Sequence, residues 1–333
     1  MRICRNSAAW LLLQVSVVCG QLPYHALKLL GSNYARTQDA FQKLCRAGYL
    51  EVVKAPGHKS FFVTDAGFEA YCRVRQKGRK KSNAFIEDKP TGTHSIEKAV
   101  RLSRINEAWL FFVLLCRRKY QTSLQIKREQ EWKAVRSTDS LKYSRFVGCI
   151  YDEERFIHPV YHFGNGNQRL NPNGEKNAAV RLAGAMMSFE KVILVETPEA
   201  IADILDYSLW ALRKNPRALR YMKLNFHVTW EDNAILLPLD ELAQAFVQHI
   251  DRKDWRTGIA QMEEREKEKA GVTLSLLQGQ WMELLEYLAR EPDPEAPVRI
   301  IAWDFQQPVL WVLRERGTLP AKARVGVCLL QAE

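Results

Sequence analysis

The spacing of apolar residues along positions 8–71 changes period several times, and each change marks an element. Ala8–Val18 is apolar almost throughout and predicts a first helix. Tyr24–Leu30 predicts a second, short apolar helix, stopped by Gly31. Next, Thr37, Ala40, Phe41 and Leu44 fall on one face at helical spacing, and Gly48 sits where a helix end favours a residue tolerant of positive φ. The opposite face of this third helix carries Gln38, Asp39, Gln42 and Arg46, flanked by Arg36 and Lys43. Two β-prone runs follow, Leu50–Val53 and Ser60–Val63, joined across Ala55–Lys59, whose Pro56-Gly57 pair is a turn signal. Thr64 or Asp65 then caps a short helix ending near Tyr71.

Three helices and a hairpin in this order predict a winged helix-turn-helix. Its third helix suits a DNA major groove, since polar side chains can bond base edges while neighbouring cations neutralise phosphates. Arg36, Gln38 and Gln42 have the donors for base edges, and Arg46 shares their face. Asn33 stands near the helix N-terminus, and Lys43, Lys54, His58 and Lys59 are the expected phosphate contacts. The competing expectation is a small dimerisation or packing unit. Beyond it, Arg73–Lys81 places six cations in nine residues, and Arg79, Lys80 and Lys81 are assigned to an arm that tracks phosphates.

The pattern from Ser82 to Gly92 is polar with no period, so a linker is drawn at 82–92 between a first domain, 1–81, and a second, 93–333. The second domain opens with a long helix from Ser95 to Cys116, apolar all round from Trp109. Strands are predicted at Arg145–Tyr151 and Arg155–Phe163, a helix at Glu175–Met187, and a buried strand at Lys191–Glu196. Helices follow at Pro198–Tyr207 and Leu209–Lys214, strands at Leu224–Trp230 and Ala234–Leu237, and a helix at Asp240–His249. The charged stretch Asp251–Lys269 reads as an exposed helix or insert, and Leu274–Arg290 as a last amphipathic helix. Strands at Val298–Trp303 and Arg324–Leu329 close the chain. The order predicts an α/β (α+β) protein: a winged helix followed by a mixed-sheet domain.

Charge sharpens the DNA expectation because it is uneven. The chain of 333 residues has a net charge of +11, and residues 1–90 hold 15 Lys and Arg against 6 Asp and Glu. A polyanion partner follows more naturally than an acidic small substrate. Seven scattered cysteines with no C-x-x-C pair argue for a reducing compartment and against a zinc module. Arg2 and Arg5 before the Ala8–Cys19 run resemble a signal peptide, but the run is too short to span a bilayer and no A-x-A site follows. No membrane partner is expected.

Candidate chemistry is sparse. The loop Gly164–Gly174 lacks the G-K-[ST] ending of a phosphate cradle. His158 and His162 lie four residues apart in a predicted strand, about 13 Å at 3.3 Å per residue, too far to share one metal. A restriction-endonuclease-like nuclease needs an acid on one strand and Glu-x-Lys on the next. Asp152, Glu153 and Glu154 sit in a turn, while Glu87-x-Lys89 and Glu131-x-Lys133 precede the first strand. No enzyme activity and no cofactor are expected, with a metal-dependent nuclease and a winged-helix repressor as the alternatives.

With Thr93-His94-Ser95 opening a long helix, Tyr143–Gly148 leading into a strand pair ending Val160–Gly164, and Glu175 beyond the loop, the chain resembles the replication-relaxation family over roughly residues 8–200. These are accessory DNA-binding proteins of plasmids and conjugative elements. The resemblance implies action on double-stranded DNA in the bacterial cytoplasm, at an origin beside a relaxase or other transfer protein. It also implies a nuclease-like but non-catalytic second domain, which would dimerise or dock that partner.

Overall fold

A computed structural model of the chain describes residues 3–31, 33–76, 92–125, 145–151, 157–164, 191–214, 234–249, 263–264, 272–277, 279–293 and 297–328. The protein is mixed α/β with several sheets, and it divides into two compact units, Met1–Phe111 and Phe112–Glu333.

The first unit opens with α1 (Ala8–Cys19), whose N-cap Ser7 accepts a hydrogen bond at its side-chain oxygen from the Trp10 N–H. Next come β1 (Leu22–Pro23), a 3-10 helix (Tyr24–Leu30), α2 (Tyr34–Arg46), β2 (Leu50–Ala55), β3 (His58–Val63) and α3 (Asp65–Gln76). The three strands form an antiparallel sheet in the order β1-β3-β2. Strand alternation assigns its faces. Leu50 and Val52, paired with Val63 and Phe61, join the core built by Leu12, Leu13, Leu27, Phe41 and Leu44. Val53 and Phe62 point the other way and pack on Ala99.

Ala99 belongs to α4 (Ile96–Trp109), which moves the domain boundary. The sequence places this helix at the start of the second domain, beyond a linker at 82–92. The structure instead packs it on the hairpin, so the first unit runs to Phe111. Residues 82–91 lie outside the described ones. The deciding contact is Gln21, fully buried, whose amide nitrogen donates to Ser60 Oγ at 3.0 Å and to the Thr93 carbonyl at 3.2 Å. Its amide oxygen accepts from Thr93 N–H at 3.1 Å, and its own carbonyl accepts from Asn106 Nδ2 at 2.8 Å. No periodicity rule sees a tie across 72 residues. The α-helix also ends earlier than the apolar pattern suggests, at Trp109, and continues as a π-helical turn, Leu110–Leu115.

In the second unit β4 (Lys119–Thr122), β5 (Phe146–Tyr151), β6 (Ile157–Gly164), β7 (Lys191–Val195) and β8 (Ala234–Pro238) form one sheet in sequence order. Pairing is antiparallel from β4 to β6 and parallel from β6 to β8. The mixed sheet is as expected, but the edge strand β4 has no counterpart in the sequence reading. It closes tightly on β5: a Cβ at Gly148 would stand 2.2 Å from the Gln121 carbonyl oxygen. A second, wholly parallel sheet joins β9 (Val272–Ser275), β10 (Val298–Trp303) and β11 (Arg324–Cys328) in the order β11-β10-β9. The helices of this unit are α5 (Pro198–Lys214), α6 (Glu241–His249), α7 (Trp281–Ala289) and α8 (Gln307–Glu315). Leu205, Leu209, Leu284, Leu285, Leu310 and Leu313, from α5, α7 and α8, pack in one core with Tyr161 and Ile300.

Three expectations change here. The two helices expected at 198–214 are one, because Ser208 is buried and donates its hydroxyl to the Ile204 carbonyl at 2.7 Å, which removes the reason to break. The amphipathic helix expected over 274–290 is split: Leu274 and Ser275 continue from β-branched Val272 and Thr273 as a strand paired with β10, Gly279 turns the chain at φ 77°, and the helix begins only at Trp281. Within the charged stretch, Glu263 is buried and accepts from Ser275 Oγ, so that residue is no surface charge. The predicted helix 175–187 and strand 224–230 lie outside the described residues.

Candidate nucleic-acid interface

Helix α2 buries Thr37, Ala40, Phe41 and Leu44 and exposes Ala35, Arg36, Asp39, Gln42, Lys43 and Arg46. Both ends are built locally. Asn33 is the N-cap, its Oδ1 accepting from the Arg36 N–H at 3.0 Å, so the residue expected to face a groove also starts the helix. At the other end Gly48, at φ 69°, donates to the Cys45 carbonyl while Tyr49 N–H reaches the Leu44 carbonyl at 2.9 Å, a Schellman closure. Lys43 and Arg46 occupy the last turn, where the helix dipole favours cations. Lys43 also reaches back to Asp39 at 2.6 Å, and both are exposed, so this pair is worth a few tenths of a kcal/mol, about 0.3–0.5.

The hairpin β2–β3 presents cations toward the same helix. Lys54 and Lys59 stand opposite one another in the register, on the side that carries Val52 and Phe61. Lys59 Nζ lies 3.2 Å from the centre of the Tyr24 ring. The Tyr24 hydroxyl in turn accepts from Gln38 Nε2 at 3.1 Å, and its ring meets Phe41 edge-on at 5.3 Å. A chain of contacts Gln38–Tyr24–Lys59 therefore joins α2 to the hairpin, worth about 0.5–2 kcal/mol for the cation on the ring and about 1 kcal/mol for the hydrogen bond. In the sequence Tyr24 reads only as the start of a helix. Its cue would have been an aromatic with a polar tip, which seeks a hydrogen-bond partner when partly buried.

His58 behaves differently from Lys54 and Lys59. It pairs in register with Ala55, on the face toward α4. Burial, then the nearby Arg104 and His25, lower its pKa below the ordinary histidine value, so at neutral pH it lacks the charge a phosphate contact requires. Close by, His25 Nε2 approaches Glu107 Oε1 to 2.7 Å, and Glu107 is fully buried. A carboxylate so placed requires a partner. Nothing in the apolar period of α4 marked Glu107 as a core residue.

The cationic run Arg73–Lys81 begins inside α3, which extends to Gln76 rather than ending near Tyr71. Arg79, Lys80 and Lys81 lie outside the described residues, as do Asp152, Glu153, Glu154, Glu87, Lys89, Glu131, Lys133, Glu175 and the loop 165–174. His158 and His162 are buried on β6, and His162 Nδ1 accepts from the Gly164 N–H at 3.0 Å. Among the described residues no three His, Cys, Asp or Glu side chains converge as metal ligands. Cys19, Cys116 and Cys149 are buried, and burial raises their thiol pKa values, which makes them poor nucleophiles. No helix among the described residues is long and apolar enough to cross a membrane.

The residues that carry the family resemblance in this region have local roles. Thr93 meets Gln21, His94 lies 3.6 Å from Glu51 and edge-on to the Phe62 ring, and Gly148 admits the β4 backbone. Comparison of the chain with protein-family models, with curated proteins and with solved structures finds no match.

Proposed function

We propose that the first unit is a winged-helix reader of double-stranded DNA, with α2 in the major groove and the β2–β3 hairpin as the wing. The supporting observation is the Gln38–Tyr24–Lys59 chain, which makes the exposed ridge of α2 and the cationic side of the hairpin one surface. Arg36, Gln42 and Arg46 on the exposed face of α2 have the donors for base edges, and Lys43, Lys54 and Lys59 the charge for phosphates. Gln38 keeps its amide oxygen as an acceptor while its nitrogen is held by Tyr24. On this reading the protein is an accessory factor of a mobile genetic element, acting in the bacterial cytoplasm beside a relaxase. Its second unit docks that partner or a second copy rather than cutting DNA.

The test begins with enrichment of a binding site from random duplexes, followed by titration of Arg36→Ala and Gln42→Ala on the selected and a scrambled duplex. Loss of a base contact should cost about 1–3 kcal/mol on the selected duplex and little on the scrambled one. Lys54→Ala should weaken both and reduce the salt slope by about 0.9. Equal losses on both duplexes for Arg36→Ala and Gln42→Ala would remove base reading from α2, and failure to enrich any site would remove the DNA reader. Incubation with supercoiled plasmid and Mg²⁺ or Mn²⁺ should leave the plasmid intact, and metal-dependent cutting would end the non-catalytic reading.

A further inference from the structure

Helix α5 buries one face in the core of the second unit through Ile201, Leu205, Leu209 and Leu212, and its opposite face carries chemistry that neither the core nor the DNA reading uses. Asp203, Tyr207, Trp210 and Lys214 are all exposed, and their spacing of four, three and four residues sets them on one stripe along the helix, about 16 Å long. The two rings form its middle. Tyr207 is 61% exposed and Trp210 52%, and the rings lie together, with centres 5.8 Å apart and planes 26° from parallel. Single exposed apolar side chains are ordinary on a protein surface, but two adjacent rings more than half open to water form a patch of the kind that a partner covers.

The ends of the stripe carry opposite charge. At one end Asp203 and Asp206 both hold the Arg316 guanidinium, each at 2.8 Å, and Asp206 also accepts from the Thr318 hydroxyl at 2.7 Å; two carboxylates against one guanidinium leave one negative charge. At the other end the Lys214 ammonium lies 4.4 Å from the centre of the Trp210 ring, which attracts the cation without cancelling its charge. The neighbouring Arg213 turns aside, donating to the Leu288 carbonyl at 3.1 Å and reaching Glu291 at 3.7 Å. The stripe therefore runs acid, ring, ring, base.

Such a stripe is complementary to its own reverse. A two-fold axis crossing α5 midway between Tyr207 and Trp210 lays a second copy antiparallel, so that Tyr207 meets Trp210 of the second copy and Asp203 meets its Lys214, each pair twice. A parallel arrangement would set Asp203 on Asp203 and Lys214 on Lys214. A single nucleic-acid strand, which also stacks on exposed rings, would have to carry its phosphates past Asp203 and Asp206.

We infer that a second copy of this chain docks on α5, antiparallel, through this stripe. Tyr and Trp are among the side chains that dominate protein interfaces. Two rings about half open offer on the order of 200 Å² per copy, against roughly 800 Å² per partner in a standard interface, so the dimer is a weak one with these rings at its centre. The inference deepens the proposal that the second unit docks a partner or a second copy, by choosing the second copy and placing it; it involves no DNA, so its failure leaves the DNA reader standing.

Sedimentation equilibrium of the full-length protein without DNA, between about 1 and 200 μM, should show the mass rising from that of one chain toward that of two, with a dissociation constant on the order of 10 μM. Trp210→Ala and, separately, Tyr207→Ala should each weaken the dimer at least about tenfold. Lys214→Glu sets a carboxylate opposite Asp203 at both ends of the interface and should weaken it about tenfold, as should Asp203→Lys, which leaves Asp206 to hold Arg316. Combining the two exchanges the charges. Positions 203 and 214 stand about 16 Å apart in one chain and cannot repair each other there, so recovery of most of the lost affinity in Asp203→Lys/Lys214→Glu reads a contact between copies. Every variant is checked for an unchanged circular dichroism spectrum, and the charge exchange keeps the test open if an alanine variant misfolds. A mass of one chain across the whole range would overturn the inference and give the stripe to a partner other than this chain. So would a dimer that Trp210→Ala, Tyr207→Ala and Lys214→Glu leave unchanged, or a charge exchange that restores nothing.

Discussion

The assignment of α4 to the first unit rests on Gln21, and Gln21→Met tests it. The substitution keeps the length of the side chain and leaves the backbone bond from Asn106 untouched, but it removes three hydrogen bonds, to Ser60 Oγ, Thr93 O and Thr93 N. Ser60 is fully buried, so its hydroxyl loses a partner where water does not replace it, costing about 1–3 kcal/mol. Thr93 is half-exposed and recovers part of its loss from solvent, leaving about 0.5–1 kcal/mol for each of its two groups. Burying a thioether in place of an amide offsets about 1 kcal/mol. The net expectation is a loss of about 1–4 kcal/mol, confined to the docking of α4 on the hairpin. Urea denaturation should then lower the midpoint of the first unit by roughly 1–2.5 M at the centre of that range, about 2.5 kcal/mol, for an m value of about 1–2 kcal/mol per M. Amide exchange should accelerate at Thr93 and in the first turns of α4 while the protection of α1 and α2 persists. A double-mutant cycle with Ser60→Ala should return a coupling of about 0.5–3 kcal/mol. A change below about 0.5 kcal/mol, or faster exchange spread evenly over the unit, would refute the claim that this amide network ties α4 to the hairpin.

Two further outcomes are expected. Tyr24→Phe removes the acceptor for Gln38 but keeps the ring beneath Lys59, so DNA affinity should fall about fivefold; Tyr24→Leu, which removes both, should fall further, and equal effects in salt-titrated binding assays would separate Lys59 from the contact chain. His58 has a folded pKa below its unfolded value, so its contribution to stability is fully present above the ordinary histidine range near 6.5 and is lost as pH falls from there through the folded pKa. His58→Gln should therefore flatten the urea stability profile between pH 7 and 5, and an unchanged slope would show that His58 is not held neutral in the fold.

The sequence by itself determined the elements whose signals are local. Helix α2 was legible from Thr37, Ala40, Phe41 and Leu44 because one face of a helix repeats every three to four residues, and its end was legible because Gly48 supplies the positive φ of a Schellman closure. The hairpin followed from Pro56-Gly57 and the β-prone runs beside it, although pairing carries the strands two residues further on each side of the turn than those runs, to Ala55 and His58. The buried strands β7 and β10 were legible because continuous apolar runs between breakers fit few other uses.

Tertiary structure alone decided what depends on a partner distant in the chain. Edge strand β4 exists because Gly148 lets its backbone approach, and the split of 274–290 into strand and helix was settled by pairing with β10, whose stabilisation outweighs the helical period of the leucines. Buried Glu107 lies against His25 and buried Gln21 bonds to Thr93, in each case across more than 70 residues, a separation no windowed pattern spans. The same holds for the surface of α2. Its exposed side chains were readable from the helical period, but which neighbours join them was not: Lys59 meets Tyr24 on one side of the hairpin, and His58, the adjacent residue, turns to α4 on the other. A two-residue period fixes that neighbours oppose one another, and only packing chooses which of them faces the helix.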